Sequence, residues 1–318
     1  MPLSPDAAIL RRLRASGAAY IPDSALPGAP ARIPILLAAG YEIEHHPHLG
    51  YRLLSSPDRL IADDILSRLP DARWIRDILV FQSTSSTNDL ITALARDGAP
   101  AGLAAFAEEQ TAGRGRLGRR WQSPPGLGLW FSLLLRPELP LAEWPRLTLW
   151  IAFALAQALR LHTSLEIMLK WPNDLYVSGR KLAGILVETS LGENSFATAG
   201  VGLNVNNPSL PTPLDSTATS LRIQTGAPVD RNTLAAAILT SLDQSFPMVA
   251  SHFHQILAWA KQADYLRGRW VSAAAGAALH EGIAQGLDPD GALLIRTPSG
   301  ATVRVTSGEV ARFSSVAG

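Results

Sequence analysis

Cysteine is absent from this 318-residue chain, which removes disulfides, thiolate nucleophiles and cysteine-ligated zinc and fits a reducing cytoplasm. Net charge is nearly absent as well. A formal +1 gives no global field that would recruit nucleic acid or an anionic membrane, so any positive site has to be local. No apolar run is long enough to span a bilayer: the most apolar stretch, 147–159, lies between Arg146 and Arg160 and falls short of the about 20 residues a span needs, so it reads as a buried helix. Residues 1–14 hold no long apolar core behind their charges, so no signal peptide is expected. Internal repeats and low-complexity tracts are missing too. What remains is 47% hydrophobic and 17% charged, over a length that exceeds one ordinary domain. That describes a globular enzyme of two or three domains with a sizeable core.

Three segments differ in pattern. In residues 1–66, helical spacing at 7–14 and 32–39 gives way to alternation at 41–44 and 50–54 around a His/Pro/Gly turn. Helices followed by a β-hairpin predict a winged-helix-like module, with a further helix over 58–68 leading out. Residues 67–266 mix both periods. Ser86 is placed to cap a helix over 87–96, with Asp89 three residues on and Gly98 near its stop. Strands are expected at 129–135, 166–171, 175–177, 181–188 and 196–206, with a tight turn at Ser178-Gly179. Helices are expected from an Asp230 cap to Leu242 and over 249–264. Strands joined by short turns imply an antiparallel or mixed sheet carrying helices, an α+β architecture. In residues 267–318 short strands are punctuated by Gly282, Gly286, Asp290-Gly291 and Ser299-Gly300, the spacing of a small all-β barrel.

The most unusual stretch is Gly113-Arg114-Gly115-Arg116-Leu117-Gly118-Arg119-Arg120-Trp121. It contains G-x-G-x-x-G, but a dinucleotide turn has to open a helix, and Pro124-Pro125-Gly126 follow instead. Arginines interleaved with glycine suit a loop that folds around an anion, since glycine lets backbone approach and each guanidinium offers a planar fork of donors. An ordinary solvated loop has the same composition, and the residues alone leave both readings open. Lys170 precedes Trp171-Pro172-Asn173-Asp174 at a strand end. Pro172 biases Trp171 toward extended geometry and so holds Lys170 in place, fit to neutralise charge on a carboxylate attacking an α-phosphate. Pro-Asn-Asp is equally a plain turn former. Ser86, Thr87 and Asn88 read as helix caps or as a grip on a small polar ring such as a ureido group, to which Gln110 would add.

Taken together, Ser86-Thr87-Asn88, Glu109-Gln110-Thr111-Ala112 with the arginine-glycine loop, Lys170-Trp171-Pro172-Asn173-Asp174, Arg180-Lys181-Leu182-Ala183-Gly184-Ile185-Leu186 and Gly202-Leu203-Asn204-Val205-Asn206 resemble the biotin protein ligase family in order and spacing. The likeness covers about 80–315. It implies a class II synthetase-like, biotin-lipoate ligase-like catalytic domain at 67–266 and an SH3-like barrel at 267–318. It further implies ATP and biotin as substrates with Mg²⁺, a biotin carboxyl carrier domain as acceptor, and no resident metal site. A homodimer is left open. By the family pattern Ser86, Thr87, Asn88, Gln110, Arg114, Gly115, Arg116 and Lys170 contact biotin or its adenylate, with Lys170 and Arg116 catalytic. Arg119, Trp121, Asn173 and Lys181 would touch nucleotide or phosphate. Two rivals are a lipoate ligase or octanoyltransferase, which the polar grip disfavours, and a biotin-responsive regulator without ligase activity. The first module departs from a DNA-reading winged helix. Between Pro22 and Gly50 its only Arg or Lys is Arg32, and prolines 27, 30 and 34 are expected to interrupt the recognition helix, so operator binding is expected to be lost.

Overall fold

A computed structural model of the chain describes residues 3–70, 72–276 and 278–314. The end modules expected at 1–66 and 267–318 extend to positions 1–2 and 315–318, which lie outside the described residues.

The chain opens with α1 (Pro5–Ala15), α2 (Ala29–Ala38) and the antiparallel hairpin β1 (Glu42–His46) and β2 (Gly50–Ser55). Ser4 caps α1 by accepting from Ala7 N at 3.0 Å. Leu10, Leu13, Leu26, Ile33, Leu36 and Tyr41 close a small core of their own. The prolines do not interrupt α2, which corrects the expectation. Pro27 lies before it, Pro30 falls in the first turn, where a missing N–H costs nothing, and Pro34 forfeits one helical bond between the buried Ile33 and Leu36. The helix expected over 58–68 is shorter. It appears as α3 (Ala62–Arg68), because Leu60 N and Ile61 N donate to Glu108 Oε1 and Asn232 Oδ1 instead of starting a turn.

The central unit runs through β3 (Asp77–Thr84), α4 (Thr87–Arg96), β4 (Leu103–Gln110), β5 (Gly128–Leu135), α5 (Arg146–His162), β6 (Met168–Lys170), β7 (Asp174–Val177), β8 (Arg180–Ser190) and β9 (Phe196–Asn204). Its strands form one sheet in the order β3-β4-β5-β9-β8-β7-β6, parallel at β3-β4 and antiparallel elsewhere, so the α+β expectation holds. Strands β3 and β4 are not among those expected from the sequence. In β4 both faces are buried, so Leu-Ala-Ala-Phe-Ala shows no alternation, and its alanines favour helix. The strand expected over 166–171 shrinks to β6, because β7 offers only the register partners Asp174, Leu175 and Tyr176. The Ser178-Gly179 turn forms as expected, both residues left-handed at φ 49° and 76°.

Four helices follow: α6 (Leu221–Thr225), α7 (Arg231–Ser245), α8 (Met248–Ser251) and α9 (Phe253–Gln262). Asp230 caps α7 by accepting from Thr233 N at 2.9 Å. The single helix expected over 249–264 breaks at His252, whose φ of −140° leaves the helical region. The apolar run 147–159 is buried within α5, which packs on α7 and α9. Finally β10 (Trp270–Ala275), β11 (Ala278–Leu287), β12 (Leu293–Arg296), β13 (Thr302–Val305) and β14 (Glu309–Phe313) make an antiparallel sheet ordered β13-β12-β11-β10-β14. Val271, Ile295 and Val310 share one continuous core with Leu155 and Ile238, which fixes β14 against the end of β6. Among the described residues no helix is long and apolar enough to cross a membrane.

Candidate active site

At the end of β4 the basic segment folds back as a tongue. Trp121 N donates to Gly113 O at 2.8 Å and Gly115 N to Arg119 O at 2.7 Å, while Leu117 and Gly118 turn the tip with φ of 55° and 73°. The tongue delivers the Trp121 indole onto Gly184 and Gly202, a cross-strand pair of β8 and β9. A Cβ on Gly202 would stand 2.3 Å from an indole carbon, so only glycine leaves this seat open. Gly200, two residues earlier on β9, faces the same side and lies under Asn88. Trp121 and Asn88 are therefore neighbours along one face of the sheet.

Beside the indole opens a cleft of about 490 Å³ lined by Gly115, Arg116, Arg119, Lys170, Asn173 and Lys181, all singled out from the sequence. The β6-β7 hairpin carries Lys170 and Asn173 on either side of Pro172. The C-terminal sheet closes the cleft from above: Lys170 Nζ donates to Val310 O at 3.3 Å, Arg116 donates to Gly308 O at 2.9 Å, and Arg119 pairs with Glu309. Arg116 also reaches Asn173 Oδ1 at 3.4 Å. Lys181 Nζ lies 2.8 Å from Asp174 Oδ1 and 5.2 Å from the centre of the Trp121 ring. Burial pulls the pKa values of Lys170 and Arg116 down, with Asp174 acting against it at both. Burial, then Asp174, pushes Tyr176 up. Four cationic side chains thus meet in a partly dry cleft, where charge on a bound anion is stabilised far more than in water.

Other sequence-predicted residues stand apart from these. Ser86, Thr87, Asn88 and Gln110 do not line the cleft; Thr87, Asn88 and Gln110 instead join a polar cluster, with Ser86 buried beside them. Ser132 Oγ lies 2.6 Å from Asn88 Oδ1 and 2.7 Å from Thr87 Oγ1, Asn88 Nδ2 donates to Glu188 at 2.7 Å, and Gln110 Nε2 donates to Ser123 Oγ at 2.9 Å. Ser86 occupies the cap position of α4 but makes no capping bond. Gln110 Oε1 takes the Thr87 N–H at 2.9 Å in its place, leaving the Ser86 hydroxyl without a capping role. Arg114 is turned out of the cleft, because Asp89 on α4 and Glu188 on β8 hold it at 2.6 and 2.8 Å.

The sequence reading missed Asp174 and Tyr176 as cleft residues, Glu309 and Val310 from β14, and the wall built by 204–218. Asp174 was visible within the Pro-Asn-Asp run, whereas β14 reaches the cleft only through the tertiary fold. Among the described residues no group of three or more His, Cys, Asp or Glu could hold a metal ion.

Comparison with known proteins sharpens this geometry. Residues 80–206 match the Biotin/lipoate A/B protein ligase family and residues 270–312 match the Biotin protein ligase C terminal domain. The chain is similar to the Bifunctional ligase/repressor BirA of Bacillus spizizenii, 35% identical over 271 residues that cover 82% of each. It is also similar to the Biotin--[acetyl-CoA-carboxylase] ligase of Mycobacterium tuberculosis, 34% identical over 241 residues, 74% of this chain and 88% of that one. Among solved structures, the biotin protein ligase from Aquifex aeolicus in complex with biotin and ATP superposes with a TM-score of 0.65 at 30% identity, covering 75% of this chain and 98% of that one.

Proposed function

The chain belongs to the biotin protein ligase family, and from that premise we propose that it joins biotin to a lysine of a biotin carboxyl carrier domain, such as that of acetyl-CoA carboxylase, in two steps with ATP. The observation that carries this reading is the meeting of Arg116, Arg119, Lys170 and Lys181 in one cleft beside Trp121. In the first step a carboxylate oxygen of biotin attacks the α-phosphorus of ATP. The bond to the bridging oxygen breaks, and pyrophosphate leaves with the electron pair. In the second, the neutral amine of an acceptor lysine attacks the acyl carbon, AMP leaves, and the amine releases its extra proton.

Lys170 and Arg116 take the catalytic roles, offsetting the charge that builds on the phosphoryl oxygens. Arg119, Asn173 and Lys181 hold phosphate and nucleotide, with the Trp121 indole beside them. The cluster of Ser86, Thr87, Asn88 and Gln110 grips the ureido ring next to the indole, and Ser86 brings a hydroxyl free of any capping bond. Arg114 and Gly115 join the adenylate when the tongue closes over it, which requires Arg114 to exchange Asp89 and Glu188 for the ligand. Mg²⁺ enters with ATP as part of the substrate, and its contribution is to shield the phosphates. Asp174 and Glu309 are the carboxylates among the cleft's lining residues, paired there with Lys181 and Arg119.

The domain reading is 1–66, 67–266 and 267–318: a winged-helix-like module, the catalytic domain and an SH3-like barrel. The first module has lost operator binding, since the outward positions of α2 are Pro30, Ala31, Pro34, Ile35, Leu37 and Ala38, and its one charged residue, Arg32, donates twice to Asp6 at 2.5 and 2.6 Å.

The deciding experiment is mass spectrometry of a purified acceptor domain after incubation with this protein, ATP and Mg²⁺, with biotin in one arm and lipoate in the other. Gain of one biotinyl group in the biotin arm alone is expected. Modification only by lipoate, or by neither, overturns the assignment.

A further inference from the structure

Lysine is scarce in this chain. Only three of its 28 Lys and Arg residues are lysine, namely Lys170, Lys181 and Lys261, and the first two stand in the cleft. The reaction read from that cleft makes an activated acyl group whose intended target is a lysine amine. A neutral Lys170 beside it would be a competing acceptor: its amine would attack the acyl carbon, AMP would leave, and loss of a proton would fix biotin to the enzyme as an amide. Protonation removes the lone pair and closes this path. Lys181 has a carboxylate for a partner, Asp174 at 2.8 Å. Lys170 has none among the described residues, because Asp174 is taken and Glu309 pairs with Arg119. Burial works against its charge, as do Lys181 on β8 and Arg119 on the tongue, while Asp174 and Glu309 favour it only from a distance. Arg116 adds a further positive charge to the same cleft.

What stands against this lysine is aromatic. Its Nζ lies 4.9 Å from the centre of the Phe313 ring and 5.6 Å from that of Tyr176, both within the reach at which a ring face attracts a cation. Tyr265 braces the pair, its ring centre 4.9 Å from that of Tyr176 and 5.6 Å from that of Phe313, and its N–H donates to Leu169 O at 2.9 Å, one residue from the lysine. Arg269 covers the Tyr265 ring in turn at 4.4 Å. Phe313 is fixed by its place in β14, opposite Val271 of β10, and by Ser314 N, which donates to Trp270 O at 3.0 Å. A ring differs from a carboxylate in two respects. It favours the charge without cancelling it, and it takes up none of the ammonium's three donors. Val310 O accepts one of these at 3.3 Å, which leaves two for a ligand.

We infer that Phe313 and Tyr176 form an aromatic box that keeps Lys170 charged and aimed, so that this lysine serves the phosphate chemistry and is not itself biotinylated by the acyl-adenylate. The inference deepens the ligase reading above and rests on it. Both rings belong to positioning residues, since they act on the substrate only through the lysine. Phe313 carries the larger share, being the closer of the two. It reaches the lysine from the C-terminal sheet, which thereby guards the enzyme against its own intermediate.

The test incubates the full chain with biotin, ATP and Mg²⁺ but no acceptor, at neutral and mildly alkaline pH, and maps biotinyl groups on Lys170, Lys181 and Lys261 by mass spectrometry. Lys261, exposed on α9, is the reference amine. The unaltered chain is compared with Phe313→Leu and with a chain carrying trifluorophenylalanine at 313, whose fluorines draw negative charge from the ring face while its shape stays close to that of phenylalanine. Relative to Lys261, labelling of Lys170 should rise about 2- to 30-fold in Phe313→Leu, the range set by one contact between a cation and a ring, and it should rise with the fluorinated ring as well. Tyr176→Leu should act in the same direction, and Phe313→Tyr, which keeps a ring, should keep Lys170 protected. Unchanged labelling of Lys170 overturns the inference for the ring concerned. A rise confined to Phe313→Leu and absent from the fluorinated chain overturns it too, since packing and not ring charge would then be at work. If Phe313→Leu fails to fold, the fluorinated chain decides. Should the unaltered chain release no pyrophosphate, the ligase reading fails instead, and trace acetylation with acetic anhydride, which needs neither ATP nor biotin, reads the reactivity of Lys170 and still decides the role of Phe313.

Discussion

A Cβ placed on Gly200 would stand 2.2 Å from Asn88 Oδ1, closer than any side chain tolerates. The glycine on β9 therefore makes room for the amide that starts α4, and Asn88 in turn holds Glu188 and receives Ser132. Gly200→Ala should push the amide off the sheet without touching the cations. The expected outcome is a rise of about tenfold or more in the KM for biotin, with a loss of about 1–3 kcal/mol in stability from overpacking. Exchange kinetics at varied biotin and a urea titration measure both, and an unchanged biotin KM would remove Asn88 from the ring-binding cluster.

Lys170 offers a sharper test because its surroundings are partly dry. Lys170→Ala should lower the rate of adenylate formation by about 10²- to 10³-fold, the scale seen when one pre-positioned donor to a developing anion is removed. Undiminished pyrophosphate release would end its catalytic assignment.

The same lysine gives a pH prediction. Burial, opposed by Asp174 and reinforced by Lys181, holds its pKa below that of an ordinary lysine. The folded chain thus loses this proton at lower pH than the unfolded chain, which binds more protons between the two values. Stability contributed by the group accordingly rises with pH across that window, and it is least on the acid side. Activity runs the other way, falling as pH climbs through the depressed value and the charge disappears. Lys170→Arg should keep the charge and erase that alkaline limb in a profile of kcat/KM, whereas a limb that persists assigns it to another group.

Much of this site was legible because its chemistry is concentrated in short segments. Glycine and arginine in alternation, a lysine before Trp-Pro-Asn-Asp and a helix at 87–96 each keep their meaning in one dimension, and the structure brings Arg116, Arg119, Lys170 and Lys181 to one cleft. What stayed hidden depends on the third dimension. Arg114 follows a glycine just as Arg116 does, yet two carboxylates from distant elements take it elsewhere. Gln110 rather than Ser86 caps α4, accepting from Thr87 N across 23 positions of chain. Strand β4 lost its alternation because sheet neighbours and helices cover both faces, and Val310 meets Lys170 across 140 residues of chain.

Glu108 and Arg231 form a buried ion pair at 2.6 Å, and the path from the first module to the sheet runs through it. Glu108 also receives Leu60 N at 2.5 Å and Gly126 N at 3.2 Å, while Asn232 receives Ile61 N at 3.0 Å. Removing one partner leaves an uncompensated carboxylate in the interior. Arg231→Met should cost about 3–5 kcal/mol in denaturant unfolding, and Glu108→Gln with Arg231→Met together should recover part of it. Proteolysis should also cut more readily at 56–61 in the single variant, since both anchors of that segment adjoin the pair. An Arg231→Met chain as stable as the original would show that the pair is incidental.

The last expectation concerns the first module and DNA. Phosphate neutralisation supplies most of the affinity of any duplex reader and needs several free cations on the docking element. Here α2 offers exposed Ile35 and Leu37, and its lone guanidinium is committed to Asp6 in a two-pronged pair. In a gel-shift titration against the promoter region upstream of its own coding sequence, the full chain with biotin and ATP should show only weak binding that is indifferent to sequence. Arg32→Ala should lower the melting temperature of the chain and leave that binding unaltered, because the side chain serves the fold. A complex that depends on sequence, tightens steeply as salt falls and weakens in Arg32→Ala would mean that the arginine leaves Asp6 for phosphate, and that the module still reads an operator.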